Sequence, residues 1–452
     1  MGVYNNMFEL ICASTQGANH IKHGLPCEDF GKVFESDSCK IFAVADGHGD
    51  SNCPRSQYGS KTACEIAVSE MEKFCSDIHE NAWESRLLSD DKERESIIRQ
   101  LVSSIVAKWM IAVNNDFEAS PLTDEERAGC ERYIARYDKG ERLEHIYGTT
   151  LIAGLMTEKY LLLIQQGDGR CVVFNADGSA SQPIPWDEKC FANVTTSLCD
   201  EDAIQRCRYC VINLDDNPII ACIGGSDGVE DSFFSMELMH SYYRDLLVLA
   251  GEDGVDGLNA YLKETLPEFS EQGSGDDVTI CGFVDSERIS DFAVAFKRDN
   301  EIVRKESAIS EINSRLKSMN GMGKMEALRA GYEKALEEAS EAEKAYNEAV
   351  ERLNLYASDL QQFRQDETEE TEKFKAWNRL MDSIFPGNRN DALKKNVADL
   401  QTMVDQTEQR LQESKEVLKS AEQEYKDFMA RKEAYENEKL EIEEQLTELR
   451  NS

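Results

Sequence analysis

From Leu328 to Leu449, apolar residues recur alternately three and four positions apart, and one short break divides the run. Leu328, Tyr332, Ala335, Ala339 and Ala342 begin a first arm that continues through Leu353 and Phe363. Leu393, Val397, Leu400, Val404 and Leu411 begin a second, which continues through Tyr425 and Phe428 to Leu446 and Leu449. A repeat of 3.5 residues held this long specifies a coiled-coil seam. Between the arms stands "FPGNRND", 385–391, where Pro386-Gly387 ends one helix and Asn390 or Asp391 caps the next. Two equal arms, each about 90 Å long at 1.5 Å per residue, predict an antiparallel hairpin with Leu328 beside Leu449. A parallel dimer of one unbroken helix would use the same seam, but Pro386 would break that helix.

The chain before this run has a different character. Short apolar segments alternate with Gly- and Asp-rich turns, as in "YLLLIQQGDGRCVVF" (160–174), "PIIACIGGSDGVEDS" (218–232) and "GSGDDVTICGFV" (273–284). Residues 61–135 carry a longer, helical period. Strands and long helices in separate runs predict α+β layers rather than a doubly wound sheet. The expected domains are 1–290, a helical linker over 291–324 with a glycine hinge at "NGMGK", and the hairpin over 325–452. A formal charge of −37 excludes a nucleic-acid backbone or an anionic membrane as partner, because both need clustered Lys and Arg. The hairpin, with 20 basic against 31 acidic residues over 321–452, is no exception. All fourteen cysteines fall between Cys12 and Cys281. With no signal segment and no apolar run near 18 residues, the sequence reads as cytoplasmic and reduced. The lone CxxC at Cys207–Cys210 reads as free thiols, since a zinc site needs four ligands.

Four aspartates, Asp46, Asp168, Asp227 and Asp276, stand beside glycine at predicted strand ends in four separate segments. One acidic turn is ordinary loop chemistry. Four together are how a fold gathers hard oxygen ligands for Mn²⁺ or Mg²⁺. Two such ions a few ångströms apart bridge and deprotonate a water, giving a nucleophile at neutral pH. In "IFAVADGHGD" (41–50) a buried strand delivers Asp46 to that position, and glycines on either side of His48 let backbone join the metal shell. Asp46 and the Gly47 carbonyl would hold both ions.

The ordered set "CEDFG" (27–31), "ADGHGD" (45–50), "GTTL" (148–151), "GDGR" (167–170), "SDGVED" (226–231) and "GDDVT" (275–279) resembles the metal-dependent, type 2C, protein serine/threonine phosphatases. It is most similar to their bacterial branch, whose "GxxHxxxGxPCxD" opening falls on Gly17–Asp29. The resemblance covers roughly residues 8–286. It implies a β-sandwich flanked by helices, with the hairpin appended. It implies that Glu28 and Asp29 reach metal through water, that Asp46 bridges two ions with Gly47 on one, and that Asp227 and Asp276 complete that site. It implies a third, weaker ion on Asp168 and Asp231, and His48 as proton donor to the leaving serine or threonine. The variable segment 186–210 is expected near the site.

This sequence departs from the family's pattern in three places. Asp277 stands where asparagine is usual, and Gly169 replaces serine in "GDSR". The phosphate-clamping arginine of the eukaryotic members is absent from "NHIKHGLPC", which leaves His20, Lys22 or, less favoured than His20, His23 to take that contact. A lysine would do so as a point charge, without the fork of a guanidinium. The expected function is hydrolysis of phosphoserine and phosphothreonine in phosphoproteins by a metal-bridging hydroxide, with the coiled coil docking a protein partner. The rival reading is a phosphatase fold used as a binding or scaffold module, with the coiled coil carrying the main interaction.

Overall fold

The computed structural model describes residues 7–80, 83–89, 91–130, 132–190, 194–320, 323–368, 375, 379 and 389–451. It divides into two compact units, 1–304 and 305–452.

In the first unit ten strands are described. They are β1 (Glu9–Thr15), β2 (Phe30–Glu35), β3 (Lys40–Ala45), β4 (Leu151–Met156), β5 (Tyr160–Gln166), β6 (Arg170–Asn175), β7 (Ala180–Ser181), β8 (Arg208–Asn213), β9 (Ile219–Gly225) and β10 (Val278–Val284). One sheet has the order β1-β10-β9-β6-β7 and the other β2-β3-β4-β5-β8. Every neighbouring pair is antiparallel. Along β3 successive side chains face opposite ways, as the pleat requires. Phe42 and Val44 enter the core between the sheets with Ile152, Leu163, Cys222 and Phe283. Ile41 and Ala43 face the helical layer instead. Both faces of the strand are therefore covered, which is why "KIFAVA" is buried throughout.

Helices make the outer layers. The second sheet is covered by α2 (Ser56–Glu80) and α3 (Asp91–Ala119), through Met71, Ile98, Leu101 and Trp109. Among the described residues α3 alone has the length and hydropathy to cross a membrane, and its apolar face is buried in this core. The first sheet is covered by α4 (Met236–Gln272), which places Leu246, Leu247, Leu258 and Leu262 against Ile11, Val172, Ile223 and Ile280. The result is an α+β sandwich of two sheets between two helical layers.

The unit boundary falls inside α5 (Ala293–Asn320). The second unit continues with α6 (Lys324–Thr368) and α7 (Arg389–Asn451). Its buried positions include Ala335, Ala339, Ala342, Ala349, Val404, Leu411, Phe428 and Leu446, all on the expected seam. The arms are antiparallel: Tyr332 stacks on Tyr425 at 6.2 Å with ring planes 7° apart, and Glu343 meets Lys415 at 3.9 Å. The expected pairing of Leu328 with Leu449 is corrected. Leu328 shares a cavity with Asp427, Phe428 and Arg431. The last turns of α7 lie against the 305–320 part of α5, where Lys305 Nζ donates to Gln445 Oε1 at 2.7 Å and Arg315 covers Tyr435. Lys432 and Lys439 interrupt the seam at this end, and a third helix takes over. Of the "FPGNRND" turn, 385–388 lie outside the described residues and 389–391 are helical.

Candidate active site

Strand register builds the site before any side chain is considered. Phe30 pairs with Ala45, so Glu28-Asp29 at the start of β2 lie beside Asp46 at the end of β3. Val44 pairs with Ile152 and Leu151 with Gln166, which adds Thr149-Thr150 and then Asp168. In the other sheet Gly225 pairs with both Arg170 and Ile280, so Asp168, Asp227 and Asp276-Asp277 also share an edge. Every acidic turn singled out in the sequence therefore reaches one rim of the sandwich.

The rim is tightly bonded. Ser226 Oγ accepts from Thr279 N and donates to Asp29 Oδ2 at 2.7 Å. Ser56 Oγ donates to Glu28 Oε1 at 2.6 Å, and Gly47 N donates to the Glu28 carbonyl at 3.1 Å. The Asp46 backbone is held at both ends: its N–H donates to Thr150 Oγ1, and its carbonyl accepts from Thr149 Oγ1 and Thr150 N. A β-carbon on Gly47 would meet Ser56 Cβ at 2.8 Å and the Glu28 carbonyl at 2.9 Å, so glycine is needed for this approach.

Gathering carboxylates costs free energy, and their acidities record it. Burial, followed by the charges of Asp227 and Asp29, pushes Asp46 well above the usual carboxylate range. Burial also raises Asp29 well above it, with Asp227 adding to the effect against the Ser226 hydrogen bond. Asp227 is pushed up to about 7 by burial, and Asp168, Asp276 and Asp231 raise it further. Burial raises Glu28 and Asp231 too. Each group feels several of the others, so all the predicted acidic residues occupy one electrostatic neighbourhood.

His48 lies on the same rim. Its backbone N–H donates to the Gly148 carbonyl at 3.0 Å, and a β-carbon on Gly148 would strike its ring Cδ2 at 2.5 Å. Burial lowers its pKa, and the nearby Asp168 charge opposes that. His20 lies on the short helix α1 (Ala18–His23). Its ring is 3.0 Å from Asp277 Oδ2, 3.6 Å from Asp276 Oδ1 and 4.0 Å from Glu28 Oε2, so it faces carboxylates. Lys22 is exposed on the same helix. Two nearby arginines are committed elsewhere: Arg55 forks onto Glu126 and reaches Asp116 and Tyr147, and Arg170 pairs with Glu230 under the Trp186 ring.

The role of Asp277 was not anticipated. It is buried, accepting from Gly17 N at 2.5 Å and Glu28 N at 2.6 Å, so it ties the first loop to the start of β10. An asparagine could offer only one acceptor oxygen to these two donors, which is the physical difference its substitution makes. Ser226 was likewise passed over as part of "SDGVED".

The donor set fits hard divalent cations. Glu28 Oε2, Asp29 Oδ1 and Asp168 Oδ1 are buried oxygens without hydrogen-bond partners, and the surrounding ligands are all carboxylate or carbonyl. Among the described residues, no three such side chains already close as a coordination shell.

The family model described as protein phosphatase 2C matches residues 16–267. None of the curated proteins matches the chain. Among solved structures, one titled bacterial serine phosphatase is 18% identical, with 61% of this chain and 97% of that chain covered and a TM-score of 0.37. The serine/threonine phosphatase Stp1 from Staphylococcus aureus is 19% identical, with 62% and 95% covered and a TM-score of 0.36. The Mycobacterium tuberculosis serine/threonine phosphatase PstP/Ppp is 14% identical, with 61% and 98% covered and a TM-score of 0.35. The family match spans more than half of the chain, and on that match the chain belongs to the protein phosphatase 2C family of protein serine/threonine phosphatases.

Proposed function

We propose that this phosphatase hydrolyses phosphoserine and phosphothreonine in proteins with two Mn²⁺ or Mg²⁺ ions held by Asp46, the Gly47 carbonyl, Asp227 and Asp276. Glu28 and Asp29 act through water, and Asp168 with Asp231 takes a third, weaker ion. The observation that carries this is the convergence of seven carboxylates on one rim with buried oxygens left unbonded. Ions held by these residues would lower the pKa of a bound water toward neutrality and so make it a nucleophile. His48 holds a proton for the departing serine or threonine oxygen, and Gly148 leaves its ring room to do so. Thr149 and Thr150 fix the Asp46 backbone, so the carboxylate is aimed before substrate arrives. His20 or Lys22 steers the phosphate. His20 sits among carboxylates, and Lys22 is the freer of the two.

Metal-dependent release of phosphate from a phosphothreonine peptide and from an aryl phosphate tests the reading. EDTA should abolish both activities, and Asp46→Asn or Asp227→Asn should remove them without unfolding the protein. Full activity in chelator would refute it.

The hairpin serves as a docking arm for a protein partner. Exposed Leu336, Leu355, Met403, Val417 and Leu440 support this, as does an acidic charge that disfavours nucleic acid and membrane. Removing 321–452 should leave peptide hydrolysis intact and slow dephosphorylation of the physiological partner.

A further inference from the structure

Thr196 and Ser197 are buried polar residues with no role in the mechanism above; Thr196 bonds to the turn that carries Asp168, and Ser197 bonds to Thr149, which holds the Asp46 carbonyl. Ser197 Oγ donates to the Thr149 carbonyl at 3.0 Å and accepts from Thr149 N at 3.2 Å, a reciprocal pair. Leu198 N donates to the same carbonyl at 3.0 Å. Thr149 Oγ1 in turn donates to the Asp46 carbonyl at 2.9 Å. On the other side, Thr196 Oγ1 accepts from Gly167 N at 3.0 Å, and Gln166 Nε2 donates to the Ser197 carbonyl at 3.3 Å. Gly167 precedes Asp168 and has φ 104°, a left-handed conformation that a donor–acceptor contact helps to hold. Asp200 Oδ2 accepts from Ser197 N at 3.0 Å and fixes the segment itself.

We infer that Thr196 and Ser197 are positioning residues that brace two acid-bearing turns against each other, Ser197 acting on Asp46 through Thr149 and Thr196 acting on Asp168 through Gly167. This rests on the metal reading proposed above. The two arms lead to different aspartates, so they have separable consequences. Loss of the Ser197 hydroxyl removes both of its bonds to the Thr149 backbone, leaves Leu198 N on that carbonyl, and so loosens the Oγ1 link by which Thr149 helps to aim Asp46. Loss of the Thr196 hydroxyl frees only the Asp168 turn and so affects the weaker ion. Groups that orient metal ligands without touching the metal are worth about 10-fold or more in affinity.

Calorimetric titration of the full chain with Mn²⁺, alongside aryl phosphate kinetics, tests this. Ser197→Ala should weaken tight Mn²⁺ binding about 10-fold and lower kcat with little change in KM, and Ser197→Thr, which keeps the hydroxyl, should restore both. Thr196→Val, nearly the same shape, should leave the tight sites alone and shift only the weak phase to higher Mn²⁺. If Ser197→Ala does not fold, Thr149→Val removes the Oγ1 link to Asp46 and should show the same loss. A merely structural role would lower the melting temperature in EDTA and leave Mn²⁺ affinity unchanged. Folded Ser197→Ala or Thr149→Val protein that binds Mn²⁺ like the wild type overturns the inference. A wild-type chain that binds no Mn²⁺ overturns the metal reading beneath it, which is a separate result.

Discussion

Ser226 Oγ donates to Asp29 Oδ2 at 2.7 Å, joining residues 197 positions apart that belong to the edges of different sheets. The same hydroxyl accepts from Thr279 N, so one side chain connects β2, β9 and β10 where the acids meet. Ser226→Ala removes a hydrogen bond from a fully buried carboxylate and leaves a buried backbone donor unpaired. The expected cost is about 1–3 kcal/mol, read as a lower melting temperature both with and without Mn²⁺. A melting temperature within experimental error of the wild type would mean that water replaces the hydroxyl.

Acid stability has an identifiable contributor. The Arg55 guanidinium holds the Glu126 carboxyl down to about 2, from an ordinary value of 4.5. A carboxyl whose folded pKa is depressed stabilises the fold above its unfolded pKa, and that stability is lost as pH falls through the folded value. Between about pH 5 and pH 2 this pair should therefore cease to contribute. Glu126→Gln should cost about 1.5–3 kcal/mol at pH 7 and lose less further stability on acidification than the wild type does. Parallel acid-dependence curves for the two proteins would rule this out.

Much of this was legible in the sequence because glycine and aspartate at strand ends leave a local signal. Asp46, Asp168, Asp227 and Asp276 could be placed at strand edges from their own neighbours, and antiparallel register then brought them together. The seam was legible for the same reason, since its period is a property of consecutive residues. What stayed hidden depends on partners distant in the chain. Asp277 reads as one more acid in "GDDVT", and only its contacts with Gly17 and Glu28 give it a role. Thr196 and Ser197 lie in a segment with no periodicity. Whether an arginine is free to meet phosphate is hidden in the same way, since Glu126 occupies Arg55 and Glu230 occupies Arg170. A heptad pattern fixes which face is buried and says little about how far one arm slides along the other, which is why Leu328 was paired with the wrong residue.

The two candidates for the missing phosphate clamp should separate by what each variant disturbs. His20 is within 4.0 Å of oxygens from Asp276, Asp277 and Glu28, so His20→Ala perturbs the acidic rim itself. Its expected signature is a several-fold rise in the Mn²⁺ needed for half-maximal activity. Lys22 is exposed on the same helix, and Lys22→Ala should raise KM severalfold with no change in metal requirement. Unchanged kinetics in Lys22→Ala would remove Lys22 as the clamp and leave His20 as the remaining candidate.

The register of the coiled coil can be read directly from the native chain. Glu343 Oε1 lies 3.9 Å from Lys415 Nζ, and Tyr332 stacks on Tyr425 at 6.2 Å, so both contacts belong to a single antiparallel alignment. Carbodiimide joins a carboxylate to an amine without adding a spacer, and so reports only pairs already in contact. Glu343 and Lys415 should be recovered as a cross-linked peptide pair, within one chain when isotopically labelled and unlabelled protein are mixed. An exposed ion pair contributes only about 0–1 kcal/mol, so it reports the alignment without creating it. The stacked tyrosines contribute more. Tyr425→Ala should remove about 0.5–1.5 kcal/mol of ring–ring energy beyond the lost burial and lower the helical melting transition, while Lys415→Ala should barely move it. Recovery of the Glu343–Lys415 link between labelled and unlabelled chains would show that the two arms meet in different molecules.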